Sequence, residues 1–274
     1  MRRIVFALLG LLTAVTPSSA ERPRDRANLS LSVVTAEDVK AEIDFGREVA
    51  ASVLAKYPLY NNDKATRYVN LVGKSLARNA ARPELEFKFG IIDADAVTAI
   101  SAPGGYIFIS SGALEAMDDE AELAGVLAHE IIHTSQRHIV KELNIKGADS
   151  TAAAGMSHLI GGATESVGVT LRTAMSGALN ILFEKGYKRD DEIEADSLGT
   201  VLLSTTGYEP TALKRYFEKL KAAKNTGTES MEKIHQPFEA RTGLVDKIIA
   251  DNGLPEKGFV GRDRFSANVE IKKR

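Results

Sequence analysis

At 274 residues, 44% of them hydrophobic and 26% charged, the chain is long enough to bury a sizeable core as one domain with at most an appendage. Its 35 Lys and Arg against 37 Asp and Glu exclude the basic balance of a nucleic-acid binder. Cysteine is absent, which excludes disulfides, thiol catalysis, a Cys-rich zinc site and a lipid anchored on an N-terminal Cys.

Arg2 and Arg3 precede an apolar stretch from Ile4 to Val15, and Thr16-Pro17-Ser18-Ser19-Ala20 ends in the small residues a signal peptidase reads. That stretch is shorter than the roughly 20 residues needed to cross a bilayer, so residues 1–20 are expected to be a cleaved export signal. An exported chain without disulfides points to the bacterial periplasm. Residues 21–34 read as a flexible arm, 35–253 as the compact domain and 254–274 as a weakly structured tail.

Within the domain, Thr35 to about Lys56 reads as an amphipathic helix, with Val39, Ile43, Phe45, Val49 and Val53 on its apolar side, and Asn62 to Asn79 repeats the pattern. Leu85, Phe87, Phe89 and Ile91 alternate with Glu86, Lys88 and Gly90, the period-two pattern of a half-buried strand. A second strand near Val97 to Ala102, then Pro103-Gly104-Gly105, then Tyr106 to Ile109 complete a small sheet. Asp119 next offers an N-cap with an acid three residues later, and Leu123, Val126, Leu127, Ile131, Ile132 and Ile139 continue at helical spacing, so a buried helix of about five turns is expected.

That helix carries His129-Glu130-Ile131-Ile132-His133. HExxH on a helix puts two imidazoles on one face, roughly 6 Å apart along the axis, where they can share one zinc ion. The carboxylate of Glu130 can then reach a metal-bound water and take its proton. His138 falls about 140° round the helix from His133, so it cannot join the same cluster and reads as structural. Residues 147–180 are rich in Ala, Gly, Ser and Thr and read as two small-residue helices or a mobile lid. Helices follow from Lys188 to Thr205, from Pro210 to Lys224 and from Phe238 to Asp251, the last closed by Gly253. The mix of long helices and one small sheet makes the fold class α+β, mainly helical.

Two histidines leave a tetrahedral catalytic zinc one protein ligand short. Asp190-Asp191-Glu192-Ile193-Glu194-Ala195-Asp196 offers candidates on another helix, where Glu192 and Asp196 share a face while Glu194 points elsewhere. A ligand with a carboxylate partner one turn later is therefore available, and that partner could accept the free ring N–H of a zinc-bound His.

With these residues in view, the chain resembles the HtpX-like and CAAX-prenyl-endopeptidase-type zinc peptidases, and more closely their soluble periplasmic members. The matching residues are Pro103-Gly104-Gly105-Tyr106-Ile107, His129 to His133 with Arg137-His138, Arg189 to Asp196, and His235-Gln236-Pro237 with Arg241, in family order across about residues 36–252. The resemblance implies a gluzincin fold with a small sheet beside the HExxH helix, one Zn²⁺ per chain on His129, His133 and Glu192, and Glu130 as general base. It also implies that Asp196 orients a His ligand, and that His235 faces the site, either donating to the oxyanion or gating the open zinc position. A substrate strand would be formed by Thr98, Ala99, Ile100 and Ser101 with Pro103, Gly104 and Gly105. The chain departs from the family's usual Asn-Ala-Phe-Ala at Thr98-Ala99-Ile100-Ser101 and from its His-Pro at His235-Gln236-Pro237.

The activity implied is zinc-dependent endopeptidase action on unfolded or misassembled polypeptides, outer-membrane proteins among them, in envelope quality control. An extended substrate adding to the edge near residues 98–109 would be held by main-chain hydrogen bonds with broad sequence tolerance. The rival readings are a periplasmic chaperone or scaffold with a mainly structural zinc, and a protein whose 147–180 segment makes peripheral contact with a membrane surface.

Overall fold

A computed structural model describes residues 34–145, 165–223 and 226–271. The expected export signal, the arm up to residue 33, positions 147–164 of the small-residue stretch and Lys272-Lys273-Arg274 lie outside the described residues. Two capped helices open the fold. Helix α1 (Ala36–Lys56) begins in a capping box between Thr35 and Asp38, and α2 (Asp63–Ala77) begins with the Asn62 side chain accepting from the Ala65 N–H.

The sheet follows, with β1 (Lys88–Ile92), β2 (Ala99–Ala102) and β3 (Tyr106–Ser110) in the order β1-β3-β2. β1 pairs parallel to β3, Phe89 opposite Ile107, and β2 pairs antiparallel to it, Ile100 opposite Phe108. Period-two alternation splits the strands between two cores. Phe89, Ile91, Ile107 and Ile109 join one with α2, while Ile92, Ile100, Ala102 and Phe108 join the other with α1. The first strand starts three residues later than the alternation from Leu85 suggests; Leu85 and Phe87 are buried ahead of the ladder.

A 3₁₀ turn, Pro103–Gly105, links β2 to β3 with Gly104 at φ 74° and Gly105 at φ 95°, conformations that glycine adopts without steric cost. The turn packs tightly against α1: a side chain at Gly46 would collide with the Pro103 carbonyl. After the short α3 (Ser111–Glu115) comes α4 (Glu120–Ser135), N-capped by Asp119 and buried along its whole length.

The expected five-turn helix is not continuous. α4 stops at Ser135, Arg137 is left-handed at φ 59° and ψ 37°, and α5 (His138–Glu142) restarts in a new direction. A non-glycine residue there costs about 1–2 kcal/mol. The side chain explains why it is tolerated: Arg137 Nε donates to Glu42 Oε2 at 2.8 Å, and the buried Glu42 is also paired with Arg82 at 3.1 Å.

Helix α6 (Glu165–Asn180) is the described part of the small-residue stretch, one helix running into a π turn at Ile181–Lys185. α7 (Arg189–Thr205) and α8 (Ala212–Ala223) then pack against α4, α9 (Glu229–Ile234) against the π turn and α10 (Phe238–Asn252) against α7 and α8, and Gly253 closes α10 in the left-handed region as its position predicts. Residues 254–271 differ from the weakly structured tail expected of them. They carry α11 (Arg262–Asn268), whose Phe265 is buried and whose Arg264 pairs with Glu120, and Val260 O accepts from Ala121 N at 2.9 Å. Among the described residues no helix is long and apolar enough to cross a membrane.

Candidate metal centre

The close approach of α7 to α4 assembles the site. Gly199 lies against the backbone of His129, where even a Cβ would sit 3.3 Å from its nitrogen, and this contact lays Glu192 and Asp196 beside the two histidines. The α9–α10 junction contributes His235. Donor atoms of His129, His133, Glu192 and His235 all lie within 4.8 Å of one another, and all four residues are buried.

The separations match one small cation. His129 Nε2 is 2.9 Å from His133 Nε2 and 3.3 Å from His235 Nδ1; Glu192 Oε1 is 3.2 Å from His133 Nε2 and 3.0 Å from His235 Nδ1. A tetrahedral zinc with bonds of about 2.0–2.1 Å has edges of about 3.3 Å. The charges match as well. His129 Nδ1 lies 2.9 Å from Asp196 Oδ1, so its proton belongs there and Nε2 presents a lone pair to the cluster. Glu192 Oε2 is buried without a hydrogen-bond partner, a costly position that a cation would relieve. Burial, reinforced by His129, holds the His133 pKa well below its ordinary value, so the ring is neutral as a ligand must be. Burial alone would raise the Glu192 carboxyl, but His235 and His133 outweigh it and hold it well below the usual carboxylate range.

Glu130 lies on the rim of this cluster. Its Oε1 is 3.4 Å from His235 Nε2, and its Oε2 is buried and unpartnered. Behind His129, the buried Arg241 grips Asp196 with two hydrogen bonds, Nε to Oδ2 at 2.9 Å and Nη2 to Oδ1 at 2.6 Å. Burial pushes the Asp196 carboxyl up, yet Arg241 prevails and keeps it ionised and able to accept from the imidazole.

The sequence pattern of Peptidase family M48 matches residues 63–249, from the start of α2 almost to the end of α10. The chain belongs to peptidase family M48. Membership of a peptidase family makes peptide-bond hydrolysis the chemistry the site has to account for. The chain is 26% identical over 225 residues to the beta-barrel assembly-enhancing protease of Escherichia coli K12, covering 80% of this chain and 46% of that protein. It is 28% identical over 210 residues to the metalloprotease YcaL of the same organism, covering 77% of this chain and 76% of YcaL. The mitochondrial metalloendopeptidase OMA1 of Schizosaccharomyces pombe is 27% identical over 190 residues, 66% of this chain and 53% of that protein. The chain thus spans about half the length of several of the curated relatives it matches.

In this M48 chain, β2 is an outer strand of the sheet, with its unpaired edge toward the cluster. Thr98 O accepts from Ser110 N on β3, so alternation turns the carbonyls of Ala99 and Ser101 outward. Both are engaged: Ala99 O lies 3.4 Å from His235 Nε2, and Ser101 O accepts from the Tyr187 hydroxyl at 3.2 Å. Thr98 and Ile100 turn their carbonyls inward toward β3, and the Pro103–Gly105 turn packs against α1 and the lead into β1.

Tyr187 escaped sequence reasoning. It stacks on His133 with ring centroids 3.7 Å apart, but nothing near Gly186-Tyr187 in the sequence announces a contact with a helix more than fifty residues away. His138 stays outside the donor group, as expected, but the break at Arg137 brings its Nδ1 to 2.8 Å from His133 Nδ1, a contact that helix register does not foresee. Glu194 points away from the cluster, as the register predicts, and meets His138 Nε2 at 3.3 Å.

Proposed function

We propose that the chain is a zinc-dependent endopeptidase acting on unfolded or misassembled polypeptides in the bacterial cell envelope. The observation that carries the reading is the buried convergence of His129, His133 and Glu192 with the unpartnered Oε2 of Glu130 beside them. His129 and His133 through Nε2, and Glu192 through its carboxylate, would hold the ion. Zinc bound there would supply Lewis acidity, polarising a peptide carbonyl and bringing the pKa of a water to about 7.

The chain's own groups do the rest. Glu130 takes the proton of the attacking water and hands it to the departing amine, the role for which a buried carboxylate on the cluster's rim is placed. Asp196, ionised by Arg241, accepts the Nδ1–H of His129 and keeps its Nε2 free for the ion. His235 lies over the fourth corner, its Nδ1 donating to the Glu192 carboxylate at 3.0 Å, while its Nε2 faces Glu130 and the Ala99 carbonyl. We assign it as a gate that covers metal, base and strand at once and leaves when substrate enters. The outward carbonyls of Ala99 and Ser101 would then receive the N–H groups of an extended substrate.

Four protein donors also describe a closed structural zinc site, which is what a scaffold would use. Glu130 counts against that reading, because a structural site has no need of a fifth buried group, a carboxylate with one oxygen unpartnered. The envelope setting rests on the export-signal pattern of residues 1–20 and on the names of the relatives. The outer-membrane class of substrate rests on the name of the beta-barrel assembly-enhancing protease. Digestion of an unfolded outer-membrane protein, compared with the same protein folded in detergent, tests the function. Preferential zinc-dependent cleavage of the unfolded form is expected; equal cleavage of both, or of neither, would contradict it.

A further inference from the structure

The two histidines of the cluster are supported from behind in different ways. His129 leans on a carboxylate, Asp196, whereas His133 leans on a second imidazole, His138, and among the described residues no carboxylate pairs with that nitrogen. We propose that His138 is a positioning residue for the metal centre: its Nδ1 accepts the Nδ1–H of His133 and so fixes the ring that must present Nε2 to the ion.

The proton positions follow from the contacts. His133 Nε2 faces His129 Nε2 and Glu192, so as a ligand it is unprotonated, and the ring's one proton must sit on Nδ1. That N–H has His138 Nδ1 in front of it at 2.8 Å, which must be an acceptor. The proton of His138 is thereby assigned to Nε2, where Glu194 Oε2 waits at 3.3 Å with Asp191 Oδ1 at 3.9 Å. One chain of donors thus runs from the ion site through both rings to an acidic helix start. The other tautomer of His138 would bring two N–H groups together at Nδ1.

The rest of the fold holds this arrangement. His138 is buried, and Tyr187 covers both rings, stacked on His133 and edge-on to His138 at 6.2 Å. The left-handed Arg137, clamped to Glu42 on α1, is what turns α5 so that His138 meets His133; a continuous helix would carry it past. A backbone held in this sparsely populated region, directly before the residue it redirects, gives the strain a purpose.

The inference rests on the zinc reading above and is tested by metal affinity and by tautomer state rather than by turnover. Competition with a chelator of known affinity should show zinc binding by His138→Phe weakened by about 10–100-fold. Phenylalanine keeps the ring but offers no acceptor. His138→Asn, whose Oδ1 takes the place of Nδ1, should recover most of that loss, which a role in packing alone would not allow. Nitrogen-15 histidine spectra of the wild-type zinc protein should show His133 protonated at Nδ1 and His138 at Nε2; this reading stands even if the Phe variant fails to fold. Wild-type affinity in His138→Phe, or a protonated Nδ1 on His138, would overturn the proposal. A wild-type chain that binds no zinc would overturn the metal reading, and this proposal with it.

Discussion

If His235 is a gate, removing its side chain should accelerate hydrolysis, and the structure sets the scale. Its shortest contact, Nδ1 to Glu192 Oε1 at 3.0 Å, is a charge-assisted hydrogen bond of about 1.5–3 kcal/mol. The Nε2 contacts to Glu130 and Ala99 O, both 3.4 Å, are long and add little. Water recovers part of this when the gate opens, leaving about 1–2 kcal/mol in favour of the closed arrangement, a factor of about 5–30 in population. Because apparent affinity scales with the open fraction, His235→Ala should raise kcat/KM on unfolded casein by about 5–30-fold. His129, His133 and Glu192 remain, so one zinc per chain should be retained. Initial rates and metal analysis on the same preparation check both. A fall in kcat with unchanged KM and zinc content would refute the gate and place His235 in the transition state, and wild-type kinetics would remove it from the site.

Glu192→Ala should lose zinc, whereas Glu194→Ala, on the opposite side of α7, should keep its stoichiometry; metal analysis giving the reverse would show the ligand assignment wrong. Tyr187→Phe frees the Ser101 carbonyl without removing the ring stacked on His133, so KM for an extended peptide should fall while kcat holds; an unchanged KM would mean that substrate does not use this edge. Burial pushes the Glu120 carboxyl up, but hydrogen bonds from Arg264, Tyr208 and Tyr68 hold it below its ordinary value. Its stabilisation is therefore complete above the unfolded value of about 4.3 and lost as pH falls through the lower folded value. Glu120→Gln should accordingly lower Tm at pH 7, with the gap to wild type narrowing below about pH 4. A gap that widens on acidification would contradict this.

The parts of the site legible in the sequence are those set by a helix alone. His129, Glu130 and His133 on α4, and Glu192 against Glu194 and Asp196 on α7, were placed by register, because four residues of α-helix fix a face whatever surrounds it. Register failed where distant contacts redirect the backbone. The contact of His138 with His133 is not legible in the sequence because Arg137 turns left-handed under the pull of Glu42, ninety-five residues earlier in the chain. The stretch after Gly253 reads as a tail because its ordering depends on Glu120 and Tyr208, and a lone Phe265 among charged residues carries no periodic signal. The sheet is anticipated from alternation, but the close packing of Pro103-Gly104-Gly105 on α1 depends on Gly46, distant in the chain, and carries no local signal.

The central claim is that three residues hold a zinc ion while a fourth, Glu130, does proton chemistry beside it. Zinc content and casein hydrolysis, measured side by side for wild type and Glu130→Gln, test it most directly. The account predicts about one zinc per chain in both proteins and hydrolysis at least about 100-fold slower in the variant, since only the proton transfer is removed. Equal hydrolysis by the two, or wild-type protein that takes up no zinc and gains no activity when zinc is added, would contradict it.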